Sequence, residues 1–267
     1  MELYTFSGTG NSLHVARALA ARFPGAALIP ILRALQEDEI QTHADVVGLV
    51  FPIHALTFPW PVRDFLARAD FSSASYIFAV ATRECFSKVF ADIDKLLGKQ
   101  GRHLDAGFAF EMPQNYIPVF ETYSPEECER TEREMVGALD RIEATVTARE
   151  TRRPKDPAWL FLLSHVMMTL VSGVFRKLRF PNMERSFYAD ESCTGCGTCE
   201  SVCLSGKIRL VDGKPVWADS VRCAYCFACL HYCPSEAIQI RGRKTTSKGR
   251  YHHPAISAAD IAGQLNN

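Results

Sequence analysis

The sequence predicts an α/β fold: a doubly wound parallel sheet, a helical connector, and a small α+β region that carries most of the cysteines. Strands alternate with helices along the first half of the chain, which is typical of a parallel sheet. A loop rich in glycine and hydroxyl residues follows the first strand, and two cysteine runs of nearly the same spacing lie near the C-terminus. We therefore divide the chain into residues 1–150, 151–187 and 188–240 and a tail, 241–267.

The bulk composition fits a reduced, intracellular protein with more than one core. The chain has 267 residues, a formal net charge of +0 and 47% hydrophobic residues. Such a neutral balance gives no reason to expect nucleic acid or an anionic membrane as a partner. The N-terminal residues show neither a basic nor an apolar leader, so no signal peptide is predicted. Because so many thiols are stable only under reducing conditions, we expect a cytoplasmic location.

Four apolar segments of the first half are predicted as strands, and four further segments as helices. The strands are Leu3–Phe6, Asp45–Phe51, Tyr76–Ala81 and His103–Phe110, and the helices begin near Leu13, Pro59, Phe86 and Pro125. In parallel sheets of this kind, ligands bind beyond the carboxyl ends of the strands. Three loops meet that condition, residues 7–12, 52–58 and 82–87.

The first of these loops has the composition of a phosphate-binding loop. It consists of Ser7, Gly8, Thr9, Gly10, Asn11 and Ser12. The glycines let backbone N–H groups approach an anion, and the N-terminus of the following helix adds partial positive charge. No lysine follows, as a nucleoside-triphosphate loop would require, and no Gly-x-Gly-x-x-Gly is present. A phosphate held without a cation is typical of a single terminal monophosphate, as in FMN. The alternative is that the glycines only cap the helix.

This loop and the strand–helix order of residues 1–148 resemble flavodoxin. The resemblance implies bound FMN, with the second and third loops forming walls around the isoalloxazine ring. The residues that it assigns to these walls are Pro52, His54, Thr82 and Cys85. Both loops lack the glycines common in flavodoxins. The alternative is therefore a flavodoxin-like domain that has lost its cofactor.

The cysteine runs have the spacing of a protein that carries two cubane iron–sulfur clusters. The runs are Cys193, Cys196, Cys199 and Cys203, and Cys223, Cys226, Cys229 and Cys233. Three cysteines of each run converge on one [4Fe-4S] cluster, and the fourth reaches the other cluster. The predicted ligand sets are thus crossed. Zinc sites need no third and fourth cysteine at this spacing, and disulfides are not expected in a reducing compartment.

Residues 188–240 resemble the bacterial two-cluster ferredoxin. The similarity continues beyond the cysteines, because Cys203–Ile208 parallels Cys233–Ile238 and a short strand follows each, Ile208–Val211 and Ile238–Ile240. Leu204 stands where that family usually has proline, so we expect a less rigid turn after Cys203.

Two further segments allow more than one interpretation. The apolar stretch Ala158–Phe175 is at the lower limit of a membrane span and contains polar residues. A core or interdomain helix is the preferred interpretation, with shallow contact at a membrane surface as the alternative. The segment Met112–Tyr116 follows the last strand and is either a turn or a lid over a substrate.

The whole chain resembles the flavodoxin–ferredoxin fusion proteins of anaerobic bacteria and archaea. The resemblance implies an electron-transfer protein in which two [4Fe-4S] clusters and FMN couple one-electron carriers to a two-electron step. A protein redox partner, either a ferredoxin or a reductase, would dock near one cluster. The alternative is an FMN-dependent reductase that takes electrons for a small organic substrate from its own clusters.

Overall fold

The first half of the chain forms a five-stranded parallel sheet flanked by helices. The computed structural model describes residues 1–54, 57–82, 89–152 and 180–265. The elements are β1 Glu2–Thr5, α1 Asn11–Ala20, β2 Ala27–Pro30, α2 Ile31–Ala34, β3 Val46–Pro52, α3 Trp60–Arg68, β4 Tyr76–Thr82, α4 Val89–Leu97, β5 Ala106–Phe110 and α5 Pro125–Thr147. The strand order is β2-β1-β3-β4-β5. This is the flavodoxin-like, doubly wound order, which confirms the predicted fold class.

The sheet is buried on both faces. The central strands β3 and β4 are almost continuously apolar and pair in register, with Val50 opposite Val80. Such strands are typical of a parallel sheet covered by helices on both sides. One core lies between the sheet and helices α1 and α5, and the other covers the opposite face. Helix α5 begins with a capping box formed by Ser124 and Glu127.

The cysteine-rich region is small and built from short elements. They are β6 Phe187–Ala189, α6 Thr198–Ser201, β7 Ile208–Val211, β8 Lys214–Trp217, α7 Ala228–His231, β9 Ile238–Ile240 and, in the tail, α8 Ala258–Ala262. Short 3₁₀ helices cover Gly98–Gln100, Phe180–Ser186 and Thr245–Ser247. Strand β6 pairs antiparallel with β9, and β7 with β8. The predicted strands Ile208–Val211 and Ile238–Ile240 are therefore confirmed.

The cysteine-rich region and the tail share a core with the parallel sheet. Leu204, Ala228 and Tyr232 of the former and Ile256 and Ile261 of the latter pack into the core that covers one face of the sheet. Leu204 is only 2% exposed. Its role is thus to anchor the region to the sheet, because a proline ring could not fill that apolar site in the same way.

Much of the predicted connector, including the apolar stretch Ala158–Phe175, lies outside the described residues. Within the described ranges, no helix combines the length and the apolar character that crossing a bilayer requires.

Candidate functional site

The eight cysteines of the two runs form two groups that cross between the runs. All eight are free thiols. Burial, and then the charges of Cys233, Cys193 and Cys196, raise the pKa of Cys199 to about 11. In the same way, burial and the nearby Cys203 raise the pKa of Cys223 to about 11. We call Cys193, Cys196, Cys199 and Cys233 the outer group and Cys203, Cys223, Cys226 and Cys229 the inner group.

The inner group lies against the carboxyl edge of the parallel sheet. A Cβ atom added to Gly8 would lie 2.7 Å from Cβ of Cys226, so only glycine permits this approach. The indole Nε1–H of Trp60 donates to the carbonyl oxygen of Cys223 at 3.2 Å. Cys226 and Cys229 are half-buried, and their burial raises the pKa of both thiols above that of an ordinary cysteine. Iron must therefore displace their protons on binding.

The outer group contains both the one exposed cysteine of the two runs, Cys196, and the one buried cysteine, Cys199. Cys196 is exposed, and a hydrogen bond with the hydroxyl of Thr198 lowers its pKa. A cleft of about 580 Å³ opens beside Cys233 and is also lined by Thr198, His231 and Arg250. The outer group is thus the part of the site that another protein can approach.

A buried lysine distinguishes the inner group further. Lys207 is 2% exposed, and its Nζ donates to the carbonyl oxygens of Ala218 at 2.5 Å and Val221 at 2.7 Å. Its backbone N–H donates to Sγ of Cys203 at 3.2 Å, as that of Tyr225 does to Sγ of Cys223 at 3.3 Å. A buried cation and N–H···S bonds both stabilise added negative charge, so they favour the reduced state of a cluster.

Positive backbone φ angles shape both cysteine loops, with different residues. The first loop has Gly195 and Gly197 at φ 72° and 80°, whereas the second has Tyr225 and Phe227 at 51° and 57°. A side chain in this left-handed region costs energy that glycine does not. The compensation in the second loop is packing, because Phe227 is 6% exposed and lies in the core of the cysteine-rich region.

The predicted phosphate loop is closed by other parts of the chain. Its six residues, Ser7 to Ser12, are all buried. The hydroxyl of Thr9 accepts a hydrogen bond from the side chain of Asn115, and Oγ of Ser12 lies 2.8 Å from Oγ1 of Thr82. The side chain of Asn11 donates to the carbonyl oxygen of Pro113 at 2.8 Å. The hydroxyls of Thr9 and Ser12 and the amide of Asn11, which were predicted to bind a phosphate, are therefore already bonded to protein.

The tail covers the same loop from outside. The side chain of Gln264 accepts from the backbone N–H of Ser7 at 2.9 Å and donates to its carbonyl oxygen at 2.8 Å. The hydroxyl of Tyr251 donates to Oδ1 of Asn11 at 2.9 Å, and the N–H of His253 donates to the carbonyl oxygen of Thr9 at 2.8 Å. A Cβ atom at Gly10 would lie 2.9 Å from Cβ of Ile256.

The segment Met112–Tyr116 contacts the loop 7–12 and His231 of helix α7, and His231 in turn contacts the tail. Besides bonding Thr9, Asn115 accepts from Nε2 of His231 at 2.8 Å through its carbonyl oxygen. Nδ1 of His231 accepts from the N–H of Tyr251 at 3.1 Å. Burial lowers the pKa of His231 to about 4, so its ring is neutral and serves both contacts. This segment is a structural bracket rather than an isolated lid.

The residues predicted to wall a flavin ring are only partly grouped. Pro52 and Thr82 are paired neighbours at the ends of β3 and β4. His54 packs edge-on against Phe6, and burial lowers its pKa to about 4, with the backbone of Ala224 acting in the opposite direction. Cys85 lies outside the described residues. Two buried polar atoms in the second loop, His54 Nδ1 and Thr57 Oγ1, have no hydrogen-bond partner among the described residues.

The second loop and the phosphate loop differ in how well they could bind FMN. The second loop has two polar atoms without partners among the described residues, whereas residues 7–12 are buried under the tail and bonded to protein. In the described arrangement, the residues do not fit FMN. We therefore assign no electron-transfer step to it.

Three side chains next to the loop have the composition of a metal site, but their hydrogen bonds indicate otherwise. The ligating atoms of His14, Glu132 and His253 lie within 4.8 Å of one another. However, Nδ1 of His253 accepts from the N–H of Ala255 at 3.2 Å. In the neutral ring the proton is then on Nε2, which faces Glu132 at 3.5 Å. The cluster is a hydrogen-bonded latch that holds the tail against α1 and α5.

Sequence reasoning did not find several residues of this site. His231 and Gln264 carry no local motif, and their partners lie far away in the chain, whereas Asn115 falls in the segment 112–116 that was predicted only as a turn or a lid. One signal was available for Lys207, since it occupies the position of Ala237 in the internal repeat.

Comparison with known proteins identifies one part of the chain. The family model of the 4Fe-4S dicluster domain matches residues 192–240. No curated protein matches the sequence. With the strand order of the sheet, the family match defines an α/β protein of flavodoxin-like fold that carries a 4Fe-4S dicluster domain.

Several solved structures are similar to the first half of the chain. An azoreductase from Bacillus anthracis is 11% identical, covering 54% of this chain and 97% of its own, with a TM-score of 0.35. A flavodoxin from the domain Archaea is 10% identical, covering 53% of this chain and 97% of its own, with a TM-score of 0.30. Flavodoxin 2 from Bacillus cereus is 16% identical, covering 52% of this chain and 97% of its own, with a TM-score of 0.29. We base the fold on the strand order and not on these similarities.

Proposed function

We propose that the protein is an iron–sulfur electron carrier of the flavodoxin–ferredoxin fusion type, with an entry cluster and a delivery cluster. The outer group, Cys193, Cys196, Cys199 and Cys233, would hold the entry cluster. The inner group, Cys203, Cys223, Cys226 and Cys229, would hold the delivery cluster. Both sets consist of four free thiols, which is the donor set that a cubane cluster requires. Each cluster would exchange one electron at a time.

The position of the two groups supports this order. Cys196 of the outer group is exposed, whereas the inner group lies between the cysteine-rich region and the edge of the sheet at Gly8 and Trp60. The cysteines of the inner group are at most half-buried, so a protein carrier would reach the clusters most directly at the exposed Cys196. The two groups are adjacent, since the charge of Cys199 contributes to the raised pKa of Cys229.

The environment of the inner group supports the same direction. Backbone N–H groups bond sulfurs in both groups, so the difference between the clusters would come from the buried Lys207, which would make the inner cluster easier to reduce. Electrons that enter at the outer cluster would therefore collect at the inner cluster. There they reach the carboxyl edge of the sheet, where ligands of this fold bind.

FMN is the acceptor that the sequence predicts for this edge. His54 Nδ1 and Thr57 Oγ1 support a polar ligand in the second loop. Binding of the FMN phosphate, by contrast, requires the tail to leave residues 7–12. The flavin is therefore a separate part of the proposal, and the electron-carrier function does not depend on it.

The order of the clusters can be tested by rapid mixing with a reduced ferredoxin under anaerobic conditions. We expect Cys196→Ser to abolish fast reduction of the protein by the carrier, because the entry cluster is lost or altered. Cys226→Ser should keep fast reduction of one cluster. If Cys226→Ser slows the reaction as much as Cys196→Ser, the proposed entry point is wrong.

A further inference from the structure

The hairpin formed by β7 and β8 has one buried face and one exposed face. Ile208 is 1% exposed and lies in the core of the cysteine-rich region, and the ring of Trp217 stacks on that of Phe187. Successive side chains of a strand point to opposite faces, so the residues next to Ile208 and Trp217 face away from this core. The exposed face consists of Arg209, Val211, Lys214 and Val216.

This exposed face combines two valines with two cations. Arg209 is paired with Val216 and Val211 with Lys214, so the two valines are diagonal neighbours. They are 51% and 49% exposed, and they are two of the five large apolar side chains that are exposed within the described residues. Apolar surface with charged residues around it is typical of a site that binds another protein.

The hairpin carries more positive than negative charge, in a chain whose formal net charge is +0. The guanidinium of Arg209 lies 3.8 Å from a carboxylate oxygen of Glu200, and such a solvent-exposed pair neutralises little. Lys214 donates to a carbonyl oxygen, which leaves its charge in place. Asp212, in the turn, is the acidic residue of the hairpin. Two cations against one acid attract a partner with an acidic surface.

The turn of the hairpin packs directly on the first cysteine loop. Nζ of Lys214 donates to the carbonyl oxygen of Cys193 at 3.2 Å. A Cβ atom added to Gly195 would lie 2.8 Å from the carbonyl oxygen of Gly213, so the two turns are in close contact. The exposed Cys196 follows Gly195 in the chain. A protein seated on the hairpin would therefore also lie next to the outer group.

From these observations we infer that the exposed face of the hairpin is the docking surface for an acidic one-electron carrier protein. Carboxylates of the carrier face Arg209 and Lys214, and its apolar surface covers Val211 and Val216. Each encounter transfers one electron, so the carrier is oxidised and the outer cluster is reduced by one electron, and no bond is made or broken. The inference rests on the proposed function, because it names the surface and the charge of the partner that reduces the entry cluster.

Rapid anaerobic mixing of the cluster-loaded, full-length protein with a reduced acidic ferredoxin tests the role of the two cations. The double variant Arg209→Gln/Lys214→Gln removes both charges from the face. The control Lys95→Gln/Lys99→Gln removes two exposed lysines at the end of α4 and in the 3₁₀ helix that follows it, so the net charge changes equally. Because α4 leads from the end of β4 to the start of the parallel strand β5, these lysines lie at the amino edge of the sheet, opposite to the inner group.

We expect the double variant to react with the carrier about tenfold more slowly at low ionic strength, because electrostatic steering is lost. The difference should shrink at high ionic strength, since salt screens exposed charges. The control should react as fast as the unmodified chain. Reduction by dithionite, which needs no docking surface, should be nearly equal in all three proteins, and this comparison separates docking from a change in the cluster itself.

The apolar part of the face is tested with Val216→Ser. Val136→Ser is the matched control, because Val136 of α5 is 48% exposed and Val216 is 49% exposed. Val216→Ser should slow reduction by the carrier by a few-fold, and this effect should persist at high salt, because apolar contacts are not screened. Val136→Ser should have no effect.

Three kinetic results would overturn the docking surface alone: equal rates for the double variant and the unmodified chain, equal slowing of the lysine control, or equal slowing with dithionite. A dimer of the unmodified chain that the double variant dissociates, seen by sedimentation, would also overturn it, because a second copy would then cover the face. If the carrier does not reduce the unmodified chain with its full iron and sulfide, the electron-carrier function itself is wrong, and the docking surface with it. Iron analysis of each variant shows that it has folded.

Discussion

The two cysteine runs are copies of one pattern, and their differences follow the surface that each one faces. Leu204 is buried against the sheet, whereas its counterpart Pro234 is exposed. Lys207 is a buried cation, and its counterpart Ala237 is a buried methyl group. Thr194, which follows the first cysteine of the first run, is exposed. Its counterpart in the second run, Ala224, is 3% exposed and packs against the sheet. The docked surface thus combines the end of the first run, at Leu204 and Lys207, with the start of the second, at Ala224, and these are the parts of the chain that carry the inner group.

This comparison teaches that the identity of the ligands and the role of the cluster are separate properties. The cysteine spacing specifies four thiolates in both halves. Burial, nearby charge and access to solvent then decide which cluster meets a partner and which is easier to reduce.

Because the inner group approaches the sheet closely at Gly8, we expect Gly8→Ala to lower the stability of the protein strongly. The added Cβ would lie 2.7 Å from Cβ of Cys226, so the two parts must separate. We expect a loss of about 1–3 kcal/mol in the free energy of unfolding, which is the usual cost of overpacking, measured by anaerobic urea denaturation. Gly98→Ala is the control, because nothing lies within 4 Å of its added Cβ. Equal stability of the two variants would show that the inner group does not pack against Gly8.

Acid should lower the stability of the folded protein through His231, which lies between the segment 112–116 and the tail. Burial lowers its pKa to about 4 in the folded protein, against about 6.5 in the unfolded chain. The unfolded chain therefore takes up a proton first, so stability is full above pH 6.5 and is lost as the pH falls toward 4. At pH 5.5 the loss from this ring is about 1–2 kcal/mol.

The matched variant for this pH effect is His231→Gln, which does not titrate. The difference in urea midpoint between pH 7.5 and pH 5.5 should be larger for the unmodified protein than for the variant. An identical pH dependence would mean that His231 does not stay neutral at the junction of Asn115 and Tyr251.

Two lysines offer a comparison of the electrostatics of the clusters. Lys207 is buried beside the inner group, whereas Lys214 is exposed and donates to the carbonyl oxygen of Cys193 in the outer group at 3.2 Å. Lys207→Met should lower the midpoint potential of one cluster by on the order of tens of millivolts, because a buried charge is poorly screened. Lys214→Met should change the other potential much less. Redox titration followed by EPR measures both, and equal shifts would contradict the assignment of Lys207 to the inner cluster.

Much of the fold could be predicted because its signals are local. The four long strands and the two strands of the cysteine-rich region follow from runs of apolar residues, and α5 follows from its proline and capping residues. Strand β2, Ala27–Pro30, was missed, because it is an edge strand that ends in proline and none of its residues is fully buried. Local patterns also predicted reduced stiffness at Leu204, whereas packing against the sheet explains that residue.

The site was less predictable because its contacts are distant in sequence. The loop 7–12 has the composition of a phosphate site, yet its partners come from residues 113–115 and 251–264. No periodicity or spacing links segments so far apart. His54 was predicted to contact a flavin, and that remains a prediction, while the structure places its ring near Phe6 and Ala224.

The most direct test of the two-cluster account is metal analysis of the anaerobically purified protein together with a redox titration. The account predicts about eight iron and about eight sulfide per chain, and two one-electron steps at different potentials. Cys196→Ser should lose or alter one of these steps and leave the other, more positive step in place. A protein that contains zinc or no metal, or that loses both steps together in Cys196→Ser, would contradict it.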